Sequence, residues 1–319
     1  MSPRMDETPV RTLTTACTAG LCNRLRVLLS GMALAEATGR QFTMLWPRTN
    51  DCAASFAELF ANPWPVHNVT CEEWVNRRHT FSRERVRYNL LTADVPQLSL
   101  WTSHSLLMPQ RFPAHKVLQH RMGELLALMQ PIETIMARVE AFQTQALRTR
   151  MIGVHLRRGD FRVIEPLIAD NTATAMQAVD LYLAHCPDAG ILLCTDDGAL
   201  NQYAGTSLPT EGVHAKFVQR YGDRVVYTTP QSLDRREPNA IQDALVDLWL
   251  LRQTDCFVGT VGSTFSGMAV LGRSVPVTMC QLQHPLRYLI PLRSWLRGER
   301  PLKWLARYYW RLIRPRGLG

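Results

Sequence analysis

The chain has 319 residues, 46% hydrophobic and 20% charged with a net charge of +9, which is the balance of a soluble globular protein large enough for about two domains. No apolar run reaches the ~18 residues of a spanning helix, and Met1–Val10, with Asp6 and Glu7, lacks the apolar stretch of a secretory signal. The eight cysteines form no Cys-x-x-Cys pair, which argues against a zinc cluster and for reduced thiols in a cytoplasmic setting.

Arg11–Ala16 reads as a first strand. The small-residue turn Thr18-Ala19-Gly20 then opens a helix whose apolar face is Leu25, Leu28, Leu29 and Met32, with Gly39 as its stop. Gly20 lets backbone approach a ligand, and the helix start with Arg24 suits an anion or a sugar hydroxyl; the plain alternative is that Gly20 only permits the turn and Arg24 is solvated. Gln41–Trp46 is a second strand, closed by Pro47. From Cys52 to about Gln110 the pattern weakens, with Pro63, Pro65, Pro96 and Pro109 marking short segments and a basic run over Arg77–Arg87. Helical periodicity returns at Arg121–Met129 and Glu133–Leu147, placing a domain boundary near 148–150.

The C-terminal half alternates: strand 151–156, helix 173–184, strand 190–194, helix 213–220, strand 224–228, helix 239–252, strand 255–259, then a helix and strand 275–279. Such alternation predicts a doubly wound parallel sheet. Its first strand leads into His155-Leu156-Arg157-Arg158-Gly159-Asp160, and ligands bind at the carboxyl ends of such strands. Two guanidiniums there match phosphate oxygens, whereas His155 alone reads more readily as a core histidine. Gly262, Ser263 and Thr264 fall at a strand-to-helix turn suited to cradling phosphate. Asp247, among Leu245, Leu248 and Trp249, calls for a polar partner. Asp196 and Asp197 read equally as a helix cap, and Glu165, before Pro166, as a solvated loop acid. There is no Gly-x-x-x-x-Gly-Lys-Ser/Thr, no Gly-x-Gly-x-x-Gly and no Gly-x-Ser-x-Gly, which removes the main support for ordinary ATPase, Rossmann dehydrogenase and hydrolase readings.

Residues 281–319 carry +8 of the net charge. Lys303, Arg307, Arg311 and Arg314 form one stripe there, and Leu302, Leu305, Tyr309, Leu312 and Ile313 another, with Trp295, Trp304 and Trp310 beside them. This pattern suits a helix on an anionic membrane surface over 295–316, or a basic helix packed back on the first domain. Charge confined to the tail, without a recognition motif, argues against a nucleic-acid partner.

Gly20-Leu21-Cys22-Asn23-Arg24-Leu25-Arg26, His155-Leu156-Arg157-Arg158-Gly159-Asp160, Thr195-Asp196-Asp197 and Ala244–Ser263, in that order, resemble the GDP-fucose-dependent fucosyltransferase superfamily, which includes α1,6-, α1,2- and protein O-fucosyltransferases. The resemblance covers the C-terminal half, rests on the Gly20–Arg26 loop in the N-terminal half, and does not reach residues 50–145. It implies a GT-B-like α/β fold, two Rossmann-like doubly wound domains facing a cleft: 1–148 on the acceptor side, 149–280 binding the GDP-sugar, and 281–319 a basic aromatic tail. It implies that Arg157, with Arg158 beside it, meets the β-phosphate of GDP, that His155 lies near the guanine, and that Glu165, ten residues on, is the base. It further implies that Asp247 recognises guanine, that Ser263 binds phosphate, and that Asp160, Asp196, Asp197, Thr264, Gly20, Asn23 and Arg24 belong to the donor site. Phe161 follows Asp160, as an aromatic does in the α1,2 enzymes where the α1,6 motif has Lys, and Cys22 stands where those families usually have Gly.

The implied activity is inverting, metal-independent transfer of fucose from GDP-fucose to a hydroxyl of a glycan or lipid-linked glycan; no Asp-x-Asp is present to bridge a metal to the diphosphate. A transferase using another GDP-sugar, or a non-catalytic nucleotide-sugar-binding protein, is the alternative. The expected setting is cytoplasmic, peripheral on the inner face of the membrane.

Overall fold

The computed structural model describes residues 10–82, 95–106, 113–158, 171–197 and 212–280. Within them the chain builds two parallel sheets. The first holds β1 (Thr12–Ala16), β2 (Gln41–Pro47), β3 (Val66–Val69) and β4 (Gln97–Trp101), in the spatial order β3-β2-β1-β4. The second holds β5 (Met151–Leu156), β6 (Gly190–Thr195), β7 (Val225–Val226), β8 (Cys256–Thr260) and β9 (Val277–Cys280), in the order β7-β6-β5-β8-β9. The helices are α1 (Leu21–Thr38), α2 (Cys71–Arg77), α3 (Pro113–Ala127), α4 (Glu133–Ala146), α5 (Thr172–His185), α6 (Val213–Tyr221), α7 (Pro238–Leu251) and α8 (Thr264–Val270). The doubly wound α/β architecture is as expected.

Each sheet reverses its winding direction once. In the first sheet the chain runs from β1 outward to β2 and β3, then returns to place β4 on the other side of β1. In the second it runs from β5 to β6 and β7, then returns to β8 and β9. The crevices at the carboxyl ends of β1/β4 and of β5/β8 are therefore the two switch points, where an open α/β sheet binds its ligands.

Two strands escape the sequence pattern. β3 and β4 lie in the Pro-punctuated region, and although Leu98 and Leu100 alternate with Gln97 and Ser99, five residues are too few to stand out. The strand expected over 224–228 shrinks to Val225–Val226, because only Ile191 and Leu192 of β6 pair with it.

A single apolar cluster runs through both halves. It joins Leu25, Leu28 and Leu29 of α1 and Met44 and Trp46 of β2 to Ile241, Leu245 and Leu248 of α7 and Phe257 of β8. Consequently α7 is buried around most of its circumference and not along one stripe, with Trp249 meeting Phe60 of the first half at 5.9 Å. Gln242 Nε2 donates to the Glu58 carbonyl at 3.1 Å, and the Arg138 guanidinium donates to the buried Asp243, tying α4 to α7.

The backbones of the two halves also touch directly. A Cβ on Gly123 of α3 would stand 2.6 Å from Cα of Gly272, in the turn after α8, where φ is +73°. Gly123→Ala is expected to lower stability in chemical denaturation by about 1–3 kcal/mol through overpacking. Gly267→Ala, whose Cβ meets open space within α8, should leave stability unchanged or raise it by up to about 1 kcal/mol.

Candidate active site

β5 is buried along its whole length, and the residues that leave it point alternately to opposite sides. His155 lies inside the switch point. Its Nδ1 is 2.8 Å from Ser266 Oγ, its ring stacks on Phe265 at 4.6 Å, and its carbonyl accepts from Thr260 Oγ1 at 3.1 Å. Burial pushes its pKa down to about 4, against the attraction of Asp196, so the imidazole is neutral at physiological pH.

Of the two arginines, only Arg157 reaches solvent appreciably. Its side chain is 20% exposed and pairs with Asp196 Oδ2 at 3.2 Å, while its backbone N–H donates to Thr260 Oγ1 at 3.0 Å. Arg158 is buried, its guanidinium donating to Thr172 Oγ1 of α5 and its backbone N–H to Asp196 Oδ1 at 2.5 Å. The expected two-pronged clamp is thus corrected to one outward guanidinium and one internal strut. Asp196 holds both, through a carboxylate oxygen each.

The turn after β8 completes this wall. Gly262 takes φ +80°, a left-handed conformation that favours glycine, and Ser263 caps α8, its hydroxyl accepting from Ser266 N–H. Thr264 Oγ1 donates to Asn23 Oδ1 at 3.0 Å across 241 residues of sequence. The same Asn23 oxygen accepts from Arg26 at 2.8 Å, and Arg26 also donates to the Ser103 carbonyl beyond β4. The Gly20–Arg26 loop and the Gly262–Thr264 turn therefore meet, one from each switch point.

Arg24 behaves differently from both readings of the sequence. It is fully buried, donates to the Ala19 carbonyl at 2.7 Å, the Pro47 carbonyl at 2.5 Å and Thr49 Oγ1 at 2.8 Å, and lies 5.2 Å from the Trp46 ring. It welds the start of α1 to the end of β2 and is withdrawn from solvent. Gly20 has φ −63°, open to any residue, and a Cβ there would make only ordinary contact with the Asp51 carbonyl at 3.6 Å, so the turn itself does not demand glycine.

Asp197 accepts from the backbone N–H of Val213, the first residue of α6, at 3.0 Å. Asp247 projects from α7 toward the end of the second sheet, where Thr228 Oγ1 donates to it at 2.5 Å and the Cys194 thiol also bonds to it. Burial raises its pKa to about 6, so at neutral pH it is a carboxylate able to accept further hydrogen bonds. Asp160 and Glu165 lie outside the described residues, as does the basic tail.

No family model and no curated protein matches this sequence. Solved structures do. The chain is similar to the α1,6-fucosyltransferase NodZ, seen with GDP-fucose, at 17% identity over 84% of this chain and 94% of that one, with a TM-score of 0.51. NodZ structures from Bradyrhizobium match at 18% identity and a TM-score of 0.50. It is also similar to Arabidopsis thaliana FUT1 in complex with GDP, at 14% identity over 88% of this chain and 72% of that one, with a TM-score of 0.55. The fold is the one these fucosyltransferases share.

Thr260, Ser266 and Thr172, which position His155, Arg157 and Arg158, carry no signal of their own in the sequence. A hydroxyl gains meaning only from the side chain that folding places beside it.

Arg24→Ala should lower stability by on the order of 3 kcal/mol, since it strands buried acceptors, each costing about 1–3 kcal/mol. Arg157→Ala, which leaves the buried Asp196 Oδ2 without its cation, should cost about 1–3 kcal/mol in the same urea titration. Between pH 4 and pH 6 the folded state binds more protons than the unfolded at Asp247 and fewer at His155, so the first makes stability fall as pH rises and the second makes it rise. Asp247→Asn should therefore steepen the rise of stability from pH 4 to pH 6, measured as denaturation midpoint against pH.

Proposed function

We propose that this chain is a glycosyltransferase that moves fucose from GDP-fucose to a hydroxyl of a glycan acceptor, with inversion and without a metal ion. The observation that carries this reading is the convergence at one switch point of His155, Arg157 with Asp196, and the Gly262–Thr264 turn, closed from the other half by Asn23. The shared fold with fucosyltransferases seen with GDP or GDP-fucose supports it.

In this reading Arg157 meets the diphosphate, and Asp196 keeps its guanidinium aimed while Arg158 braces the strand end from inside. Fixed positive charge at the departing β-phosphate lowers the barrier most where it needs no reorganisation, and a paired, half-buried arginine meets that condition. Ser263 and the turn beside it add hydroxyl and backbone donors. Asp247 accepts from guanine N1–H and N2–H, a pair of donors that adenine lacks, and neutral His155 with Phe265 offers a flat surface beside the base. Glu165 is the proposed base, on the resemblance of the His155 motif. It takes the acceptor's hydroxyl proton as the acceptor oxygen bonds to C1 of fucose, and the C1–O bond to the β-phosphate breaks to release GDP with its electron pair. Metal independence rests on the lack of any Asp-x-Asp. The basic, aromatic tail suits attachment to an anionic inner membrane surface and thus a lipid-linked glycan as acceptor.

Thermal unfolding with GDP-fucose, GDP-mannose, UDP-glucose and ATP, each with EDTA, tests the donor site. The GDP-sugars should raise the Tm in EDTA, GDP-fucose most, and Arg157→Ala should abolish the shift; no shift with any guanine nucleotide would sink the proposal. Because Asp247 must be ionised to accept from guanine, the Kd for GDP-fucose, whose phosphates do not titrate here, should rise about tenfold from pH 7 to pH 5. Asp247→Asn should bind weakly at both pH values.

A further inference from the structure

The first switch point holds a cavity of about 300 Å³, lined by Thr18, Ala19 and Asp51 and by the run Trp101–His104. These residues follow the carboxyl ends of β1, β2 and β4. The volume sits at the small end of ligand pockets, room for a single ring and not for a nucleotide. We propose that this cavity binds one pyranose unit of the acceptor, stacked on Trp101; the assignment as an acceptor site rests on the transferase reading.

Three observations carry it. Trp101 is a prepared platform: Trp74 packs edge-on against it at 5.0 Å and 81°, and its Nε1–H donates to Thr18 Oγ1 at 3.2 Å, so its indole is fixed without help from a ligand. An aromatic face beside polar groups is the complement of a pyranose, which carries C–H faces between rings of hydroxyls. The polar groups are present at the rim, where Asp51 and His104 are both exposed, and the carboxylate disfavours an anionic ligand over a neutral sugar.

The third observation is continuity with the proposed donor site. Arg26 donates both to the Ser103 carbonyl in the cavity wall and to Asn23, whose oxygen also accepts from Thr264 at the turn after β8. The cavity wall is thus tied to that turn through Arg26 and Asn23. Arg26 acts here as a positioning residue that locks one wall to the other.

The test is saturation-transfer NMR on the full-length protein with GDP present, using methyl β-galactopyranoside, methyl β-glucopyranoside and methyl N-acetyl-β-glucosaminide as probes. At least one should receive saturation on its C–H face, and the signal should fall at least fivefold in Trp101→Ala and in the Asp51→Ala/His104→Ala double variant. The double variant changes exposed side chains only, so it decides the matter even if Trp101→Ala fails to fold. The Tm shift given by GDP-fucose should survive in both. No transfer to any probe in the wild type, or undiminished transfer in the double variant, overturns the proposal. Transfer that depends on Trp101 in a protein giving no shift with GDP-fucose would keep the sugar site and remove the transferase.

Discussion

One oxygen joins the two halves of the cleft. Asn23 Oδ1 accepts from Thr264 of the second half and from Arg26 of its own, and Arg26 reaches on to Ser103. Elsewhere the halves meet through apolar side chains, through the Gly123–Gly272 backbone contact, and through the hydrogen bonds of Gln242 to Glu58 and of Arg138 to Asp243. A hydrogen-bond chain sets orientation, because its strength falls steeply with angle. It runs where both sheets present the carboxyl ends of their central strands, so the registry of the two switch points depends on it.

The arginines divide their tasks according to burial. A buried guanidinium needs acceptors for its fixed fork of donors. Arg24 finds them in two carbonyls and a hydroxyl, and Arg158 turns inward to Thr172, so both serve the scaffold. Arg157 keeps part of its surface outside and is held by a carboxylate that also anchors its neighbour's backbone. Asp196 is therefore the pivot of the motif: it sets which guanidinium faces the cleft and how firmly.

Burial also moves the two titrating groups of this wall in opposite directions. It keeps His155 neutral and brings Asp247 toward the middle of the pH range. Both shifts follow from withdrawing charge from water, which disfavours the cation in one case and the anion in the other. Among the described residues, the wall thus sets Arg157 and Asp196 beside a flat neutral ring and the carboxylate of Asp247.

Local sequence determined a good deal. Strand–helix alternation from β5 onward follows from period and turn residues, which act over a few positions, and it places the His155, Asp196 and Gly262 segments at strand ends without reference to the rest of the chain. The motif order carried the resemblance to fucosyltransferases for the same reason, since each motif is a contiguous run. What spacing cannot supply is the partner. Whether Arg24 is solvated, ligand-bound or internal depends on Pro47 and Thr49 arriving beside it; which of Arg157 and Arg158 faces out depends on α5 and Asp196. That Asn23 meets Thr264 depends on closing a loop of 241 residues. β4, too short and too close to proline to be read locally, makes a switch point of β1 and a cavity of its end. Periodicity is a property of neighbours in the chain, whereas hydrogen-bond partners are neighbours only in space, and only the tertiary structure brings them together.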